Sequence, residues 1–308
     1  MVNVPARLKL AAAAYDRASH LRADDAWLAD AWLRARVLLV TPRSATPVEA
    51  ADGGERVAFG SPADVPADAP RRFLGLVGDE PYFAATVEKR DGDDRNWRTL
   101  RDLGATIDDL RAGLLTSAIA LEQWHQRHPR CPLCGTPTVE SHGGWTRTCP
   151  ADGSEHFPRT DPAMITLVHD GGDRCLLGRN RGWPEHRYST LAGFVDAGES
   201  LEAAVVREIQ EEVSVEVTDV RYVASQPWPF PSSLMIGFFA RVEGDQLVRP
   251  DHVEMAEAGW FTREQVQRAA DWTDGRGEPD PDAELHHVSP PLSISRYLID
   301  LWLAGELP

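Results

Sequence analysis

Short apolar or alternating runs recur along the chain and predict strands over Arg36 to Val40, Phe73 to Val77, Tyr82 to Val87, Ala163 to His169, Arg174 to Gly178, Tyr188 to Phe194, Val217 to Ser225 and Leu234 to Val242. Arg56 to Phe59 is a shorter candidate, and Trp260 to Phe261 closes the series. Three- and four-residue apolar spacing predicts helices over Ala26 to Arg36, Thr106 to His128, Ser200 to Val213 and Ile294 to Leu303. Thr106 is the expected cap of the second helix, with Asp109 three residues on. Residues 41–70 hold prolines, glycines and alanines and read as loops. Residues 89–95 read as an exposed turn, and 271–291, which lack periodicity, as a flexible insertion.

The helix over Ser200 to Val213 breaks the usual division of faces. At about 100° per residue, Leu201, Val205 and Ile209 fall within roughly 80° of one another. Glu208 and Glu212 share that sector, one on each side of Leu201, and Glu211 flanks it. A solvated acidic helix keeps its carboxylates opposite the apolar stripe. Carboxylates along the stripe are costly through burial and mutual repulsion unless a divalent cation lies among them. Hard oxygen ligands on a rigid helix suit Mg²⁺ or Mn²⁺. Composition alone would make it an acidic surface helix; the angular positions and the glycine-containing loop before it argue otherwise.

The length of 308 residues allows two domains and a small third module. A net charge of −16 excludes adhesion to nucleic acid or membrane through the whole surface. An anionic substrate must therefore be held by metal ions and local arginines. No apolar run reaches the roughly 18 residues of a membrane span, no signal-peptide pattern is read, and four cysteines do not make a secreted disulfide scaffold. The expected location is cytoplasmic.

Cys131 and Cys134 form a C-x2-C knuckle, and Cys149 follows at the spacing of a zinc ribbon. Asp152 stands where a fourth cysteine would complete it, and His156 is the other nearby donor. A Zn²⁺ held by the three cysteines and Asp152 or His156 would be structural; the alternative is a metal-free relic held by packing. Cys175 reads as a small buried apolar residue, and the paired His286 and His287 as incidental loop residues. Further on, SQPWPFPSS, Ser225 to Ser233, places three prolines in five residues. They stiffen the segment that carries Trp228 and Phe230, which suits stacking of a flat heterocycle at small entropic cost. A proline-rich turn with core aromatics is the plainer reading.

Gly193, Glu199, Arg207, Glu208, Ile209, Glu211, Glu212 and Val215 fill in register the box G-x5-E-x7-R-E-U-x-E-E-x-G-U, in which U is a bulky aliphatic residue. The sequence therefore resembles the Nudix hydrolases, with Ser214 in place of the box's second glycine. The ribbon spacing and SQPWPFP-x-S, in that order around the box, resemble the NudC-like NADH pyrophosphatase subfamily over residues 129 to 303. The resemblance implies an α/β fold: a Nudix α/β/α sandwich with a mixed sheet over 161–308. A zinc-ribbon-like module at 129–160 and an α+β N-terminal domain at 1–128 would precede it.

The resemblance further implies metal-dependent hydrolysis of NAD(H) to NMN(H) and AMP, and removal of NAD caps from RNA 5′ ends. Glu208, Glu211, Glu212, Glu257 and the Ala192 carbonyl match the family's ligands for two or three Mg²⁺ or Mn²⁺ ions. Glu211 or Glu212 would take the proton of the attacking water, Arg207 would orient Glu211, and Glu199 would anchor the loop. Gln226, Pro227, Trp228, Pro229, Phe230, Pro231, Ser232 and Ser233 match the substrate-binding marker. Phe157 and Phe194 match rings that flank the nicotinamide, and Ser295 lies near a further substrate contact. Family members are homodimers with sites drawn from both subunits, so Phe157 would serve the partner's site. The competing readings are a Nudix hydrolase of ADP-ribose, coenzyme A or another nucleoside diphosphate derivative, and a non-catalytic ligand- or RNA-binding protein. The marker weighs against the first, and the full set of box glutamates against the second.

Overall fold

The computed structural model describes residues 8–307 except 13, 53, 90–92 and 278–279, and of Ala105 only the backbone. Residues 90–92 of the expected turn and 278–279 of the expected insertion therefore lie outside the described residues. The chain divides into two units. One holds Leu10–Thr160 with Pro227–Ser232; the other holds Asp161–Gln226, Ser233–Pro308 and the described residues before Leu10.

In the first of these units α1 (Asp25–Trp32) is capped by Asp24, whose side chain accepts from the Trp27 amide. Strand β1 (Arg36–Val40) follows, then β2 (Ala45–Ala51), β3 (Gly54–Val57), β4 (Arg71–Val77), β5 (Glu80–Thr86) and β6 (Asn96–Thr99). They form two three-stranded sheets, β1-β5-β4 and β3-β2-β6, with β1 and β5 parallel. The loops expected over residues 41–70 thus include a central strand, β2. Pro47 lies inside it opposite Trp97, and its carbonyl accepts from Ala58.

The short α2 (Leu100–Leu103) precedes α3 (Asp109–Arg127). The cap of α3 is Asp108, which accepts from the Arg111 amide; the expected cap, Thr106, lies in a short 3-10 turn instead. Three short strands, β7 (Val139–Ser141), β8 (Thr146–Thr148) and β9 (Glu155–His156), build the cysteine module. A buried ionic network ties this module to the sheet. Arg72 on β4 pairs with Glu122 of α3 and with Glu140 of β7, and Arg147 of β8 contacts His125 of α3. Such groups tolerate burial because each charge has partners.

The other unit is built on β10 (Asp161–His169), β11 (Arg174–Asn180), β12 (Leu191–Phe194), α4 (Leu201–Val213), β13 (Thr218–Trp228), β14 (Ser233–Arg241), β15 (Met255–Thr262), α5 (Arg263–Thr273) and α6 (Ile294–Leu303). Its six-stranded mixed sheet runs β13-β14-β10-β11-β15. β10 is parallel to β14 along its length, and its other edge is shared: β12 pairs with the first half and β11 with the end. Ala204, Val205, Ile209 and Val213 of α4 pack with Met164, Val168, Leu176, Ile236 and Phe238 in one core. Among the described residues, no helix is long and apolar enough to cross a membrane.

Candidate active site and metal centre

Helix α4 starts at Ser200, whose hydroxyl accepts from the Ala203 amide, and exits at Ser214. Ser214 has φ 58° and ψ 36°, the left-handed conformation a glycine would take there. Its cost, about 1 kcal/mol, falls on helix stability and leaves the helix exit intact. On the sheet-facing side of the helix Glu212 is buried among apolar residues, 6% exposed. Its Oε2 has no hydrogen-bond partner. Burial pushes its carboxyl up to about 8, aided by the charges of Glu208, Glu254 and Asp251. Glu208, half-buried, is also raised, first by burial. Glu211 is exposed.

Arg207 organises the other carboxylates. Its guanidinium lies 2.8 Å from Glu199 and 3.0 Å from both Glu208 and Glu211, and donates to the Phe194 carbonyl at 3.0 Å. These hydrogen bonds, first of all that to Glu199, raise the guanidinium pKa further. They hold Glu199 well below the usual carboxylate range. Glu199 also accepts from the Asp196 amide, so it closes the loop onto the helix.

Gly193 explains its own place in the box. A Cβ built there would lie 2.0 Å from the Glu208 carboxyl carbon. The bare backbone of β12 is what lets Glu208 lie against the strand. Ala192, opposite Ile165 of β10, is the next residue along.

The expected fourth acid, Glu257, is held by Arg179 and Tyr188. Arg179 donates to both its oxygens, at 2.8 and 3.1 Å, and the Tyr188 hydroxyl donates at 2.6 Å. The acid whose charge acts on both Glu208 and Glu212 is Glu254, three residues earlier. The preceding Asp251 is joined to the helix by its amide, which donates to the Glu212 carbonyl at 3.0 Å. Glu254 and Glu257 both lie in the segment EMAEAGWF, and spacing alone does not show that the first also acts on the helix carboxylates.

Among the expected substrate contacts, two side chains are buried and fully occupied. Gln226 donates to the Lys9 and Leu292 carbonyls and accepts from the Ile294 amide, all at 2.8–2.9 Å. Ser295 joins Ser189 and Thr190 in a buried hydroxyl cluster that fixes α6 to the approach to β12. These two position backbone rather than present side chains. Phe194 and Phe157 expose their rings, 59% and 63%. Ser233 opens β14 opposite Asp161.

Strand β13 continues through Trp228 into the proline segment. Trp228 and Phe230 pack edge-to-face at 5.0 Å, and the Arg101 guanidinium stands 4.0 Å from the Phe230 ring and 5.3 Å from Trp228. Arg101 escaped the sequence reading, since one arginine in a charged stretch carries no distinguishing signal. Pro227, Pro229, Pro231 and Ser232 complete the segment, and the Phe230–Pro231 bond is cis.

In the cysteine module one ligand atom each from Cys131, Cys134, Cys149 and Asp152 lies within 4.8 Å of the others. The two knuckles match: the Gly135 amide bonds to the Cys131 carbonyl and the Gly153 amide to the Cys149 carbonyl, both at 2.9 Å. Gly135 and Gly153 have φ of 75° and 74°. This donor set suits a tetrahedral, thiolate-rich ion. His156 is outside the group, bonded to the Ser154 hydroxyl at 3.1 Å. Cys175 is fully buried in β11, with a thiol raised by burial.

A carboxylate-bearing helix behind a glycine loop, laid on a mixed sheet, is the arrangement of a Nudix domain. The chain matches the NUDIX domain over residues 159–282, the NADH pyrophosphatase zinc ribbon domain over 126–157 and the NADH pyrophosphatase-like rudimentary NUDIX domain over 32–124. It is 41% identical over 302 residues to the NAD-capped RNA hydrolase NudC of Mycobacterium bovis, covering 94% of this chain and 93% of that protein. The Mycobacterium tuberculosis NudC gives the same identity and coverage. The human NAD-capped RNA hydrolase NUDT12 is 38% identical over 206 residues, 64% of this chain and 43% of that protein. The chain belongs to the NudC-like NADH pyrophosphatase family of Nudix hydrolases.

Proposed function

We propose that the protein hydrolyses the diphosphate of NAD(H) to NMN(H) and AMP and removes NAD caps from RNA 5′ ends. The observation that carries this is Glu212, a carboxylate buried on the apolar face with one oxygen unpartnered and other acids acting on it. Such a group is stable in ionised form only against a cation, so the donor set fits Mg²⁺ or Mn²⁺. Glu208, Glu211, Glu212 and Glu257, with the Ala192 carbonyl, would hold the ions; Glu254, whose charge acts on both Glu208 and Glu212, is a further acid beside them. Bound divalent cations would neutralise the diphosphate and lower the pKa of the attacking water. Glu212 is best placed to take the water's proton. Arg207 holds Glu199, Glu208 and Glu211 in one arrangement, and so keeps the loop and the helix in register.

Trp228, Phe230 and Arg101 offer a cationic aromatic surface suited to a nucleotide base; Phe194 offers a ring for the nicotinamide, and Phe157 would serve the partner's site. The active form is a homodimer, and the activity belongs in the cytoplasm, where NAD and RNA meet. Chromatography of reactions with NADH, NAD⁺, ADP-ribose and NAD-capped RNA side by side should yield NMN(H) and AMP from the dinucleotides. It should also yield an uncapped 5′ end from the RNA. Cleavage of ADP-ribose with NADH left intact would overturn the reading.

Asp152 is our choice for the fourth zinc ligand, because it lies with the three sulfurs and His156 does not. Purified protein should carry about one zinc per chain. Asp152→Ala should lose most of it to a mild chelator, while His156→Ala keeps it. The reverse pattern, read by metal analysis, would assign His156 instead.

A further inference from the structure

A chain of net charge −16 has little general attraction for RNA, so any hold on the polynucleotide must be local. The connection from β11 to β12 has that character. Arg179, Arg181 and Arg187 lie within nine residues, with Trp183 between them and Glu185 as the opposing acid. The loop is a built turn: the Trp183 amide donates to the Asn180 carbonyl at 3.0 Å, and the Gly182 amide to the Asn180 side chain at 3.0 Å. It presents Trp183 with its ring 37% exposed and the Arg187 guanidinium 5.4 Å from the ring centroid.

Arg179 is neutralised by Glu257. Among the described residues, Arg181 and Arg187 have no carboxylate at ion-pair distance. Arg181 instead spans to the segment beside the catalytic acids. Its amide donates to the Glu254 carbonyl at 3.0 Å and its guanidinium to the His252 carbonyl at 2.8 Å. An indole beside the Arg187 guanidinium, in a loop whose Arg181 carries no carboxylate partner among the described residues and sits one hydrogen bond from an acid that acts on Glu208 and Glu212, suits a chain of phosphates and bases leaving the site.

We infer that this loop binds the RNA that follows an NAD cap. Phosphodiesters lie against Arg181 and Arg187, and a base stacks on Trp183. Free NADH has no polynucleotide to place there, so the loop separates capped RNA from the free dinucleotide. The inference rests on the cap-removal reading above.

The test uses the full-length protein with NADH and with a short NAD-capped oligoribonucleotide, each over a series of salt concentrations. Arg181 is left unchanged because its guanidinium also holds the Glu254 segment. Trp183→Ala with Arg187→Ala should lower kcat/KM for capped RNA about 10-fold, the scale of losing one stacked base, and leave NADH hydrolysis as it was. Removing one cation should also flatten the slope of log kcat/KM against log salt for RNA by about 0.7. Arg187→Lys alone should keep the wild-type slope. Equal losses on both substrates, or an unchanged RNA slope in the double variant, would overturn the loop's role. Wild-type protein that hydrolyses NADH but leaves capped RNA intact would instead overturn the cap-removal reading.

Discussion

Glu212→Gln should abolish nearly all hydrolysis, a loss on the order of 10³-fold, and make the metal-free protein more resistant to heat at pH 8 than the wild type. The first half follows from the loss of a ligand and proton acceptor. The second follows from the direction in which the pKa moves on folding. Burial, helped by Glu208, Glu254 and Asp251, raises the Glu212 carboxyl from 4.5 to about 8. Between those values the folded metal-free protein keeps a proton that the unfolded chain has lost. Stability therefore falls as pH rises through that window and is highest, for this group, below it.

The unfavourable contribution at pH 8 is at most about 4 kcal/mol, since each pH unit crossed in that window costs about 1.4 kcal/mol. Glutamine fills nearly the same volume without ionising, so the window disappears. Melting temperatures with chelator should differ little between the two proteins at pH 4.5 and diverge toward pH 8. Parallel pH profiles would contradict the burial argument, and near-normal NADH turnover in the variant would contradict the site.

The direction of that effect also shows why the acidic helix was legible in the sequence. The placement of Glu208 and Glu212 on the sector of Leu201, Val205 and Ile209 depends only on the helical repeat, and the observed helix keeps that repeat from Leu201 to Val213. Strands β1, β10 and β14 were similarly readable, because their apolar runs are continuous. β2 was not: Ala45–Ala51 reads ATPVEAA, with a proline and small residues, and its strand conformation comes from pairing with β3 and β6.

The N-terminal domain shows the same limit at larger scale. It matches a rudimentary Nudix domain over residues 32–124, yet nothing like the acidic box occurs there. Its long helix α3 carries one glutamate, Glu122, and that carboxylate is spent on Arg72. Without the box, local pattern shows only α and β segments. Choices between neighbours were equally out of reach. That Asp152 rather than His156 lies with the three sulfurs depends on how the two knuckles fold, and that the charge of Glu254 acts on Glu208 and Glu212 depends on where the segment before β15 is laid. The His286–His287 pair, read as incidental, packs against Trp272 at 4.7 and 4.6 Å.

Gly193→Ala should separate metal binding from folding. The new methyl would stand 2.0–2.3 Å from the carboxyl atoms of Glu208, far inside van der Waals contact. The backbone cannot retreat cheaply, because Gly193 lies on β12 opposite Met164 and its neighbours are paired to Ile165 and Ala163. The Glu208 side chain must turn away instead. It then leaves Arg207, 3.0 Å away, and leaves Glu212 without its companion ligand. The fold itself loses little, since the displaced group is the end of a flexible side chain, and the raised carboxyl of Glu212 is relieved of one repulsive charge.

Expected results are a far-ultraviolet spectrum like that of the wild type and a metal-free melting temperature equal or slightly higher. Mn²⁺ affinity, read by electron paramagnetic resonance titration, should fall by about 10- to 100-fold, the range typical when groups that orient ligands are lost. NADH hydrolysis should fall at least as far. Wild-type Mn²⁺ affinity in this variant would mean that Glu208 does not hold metal in the position where the bare strand admits it. A collapsed melting temperature would show that the glycine serves the fold rather than the ligand.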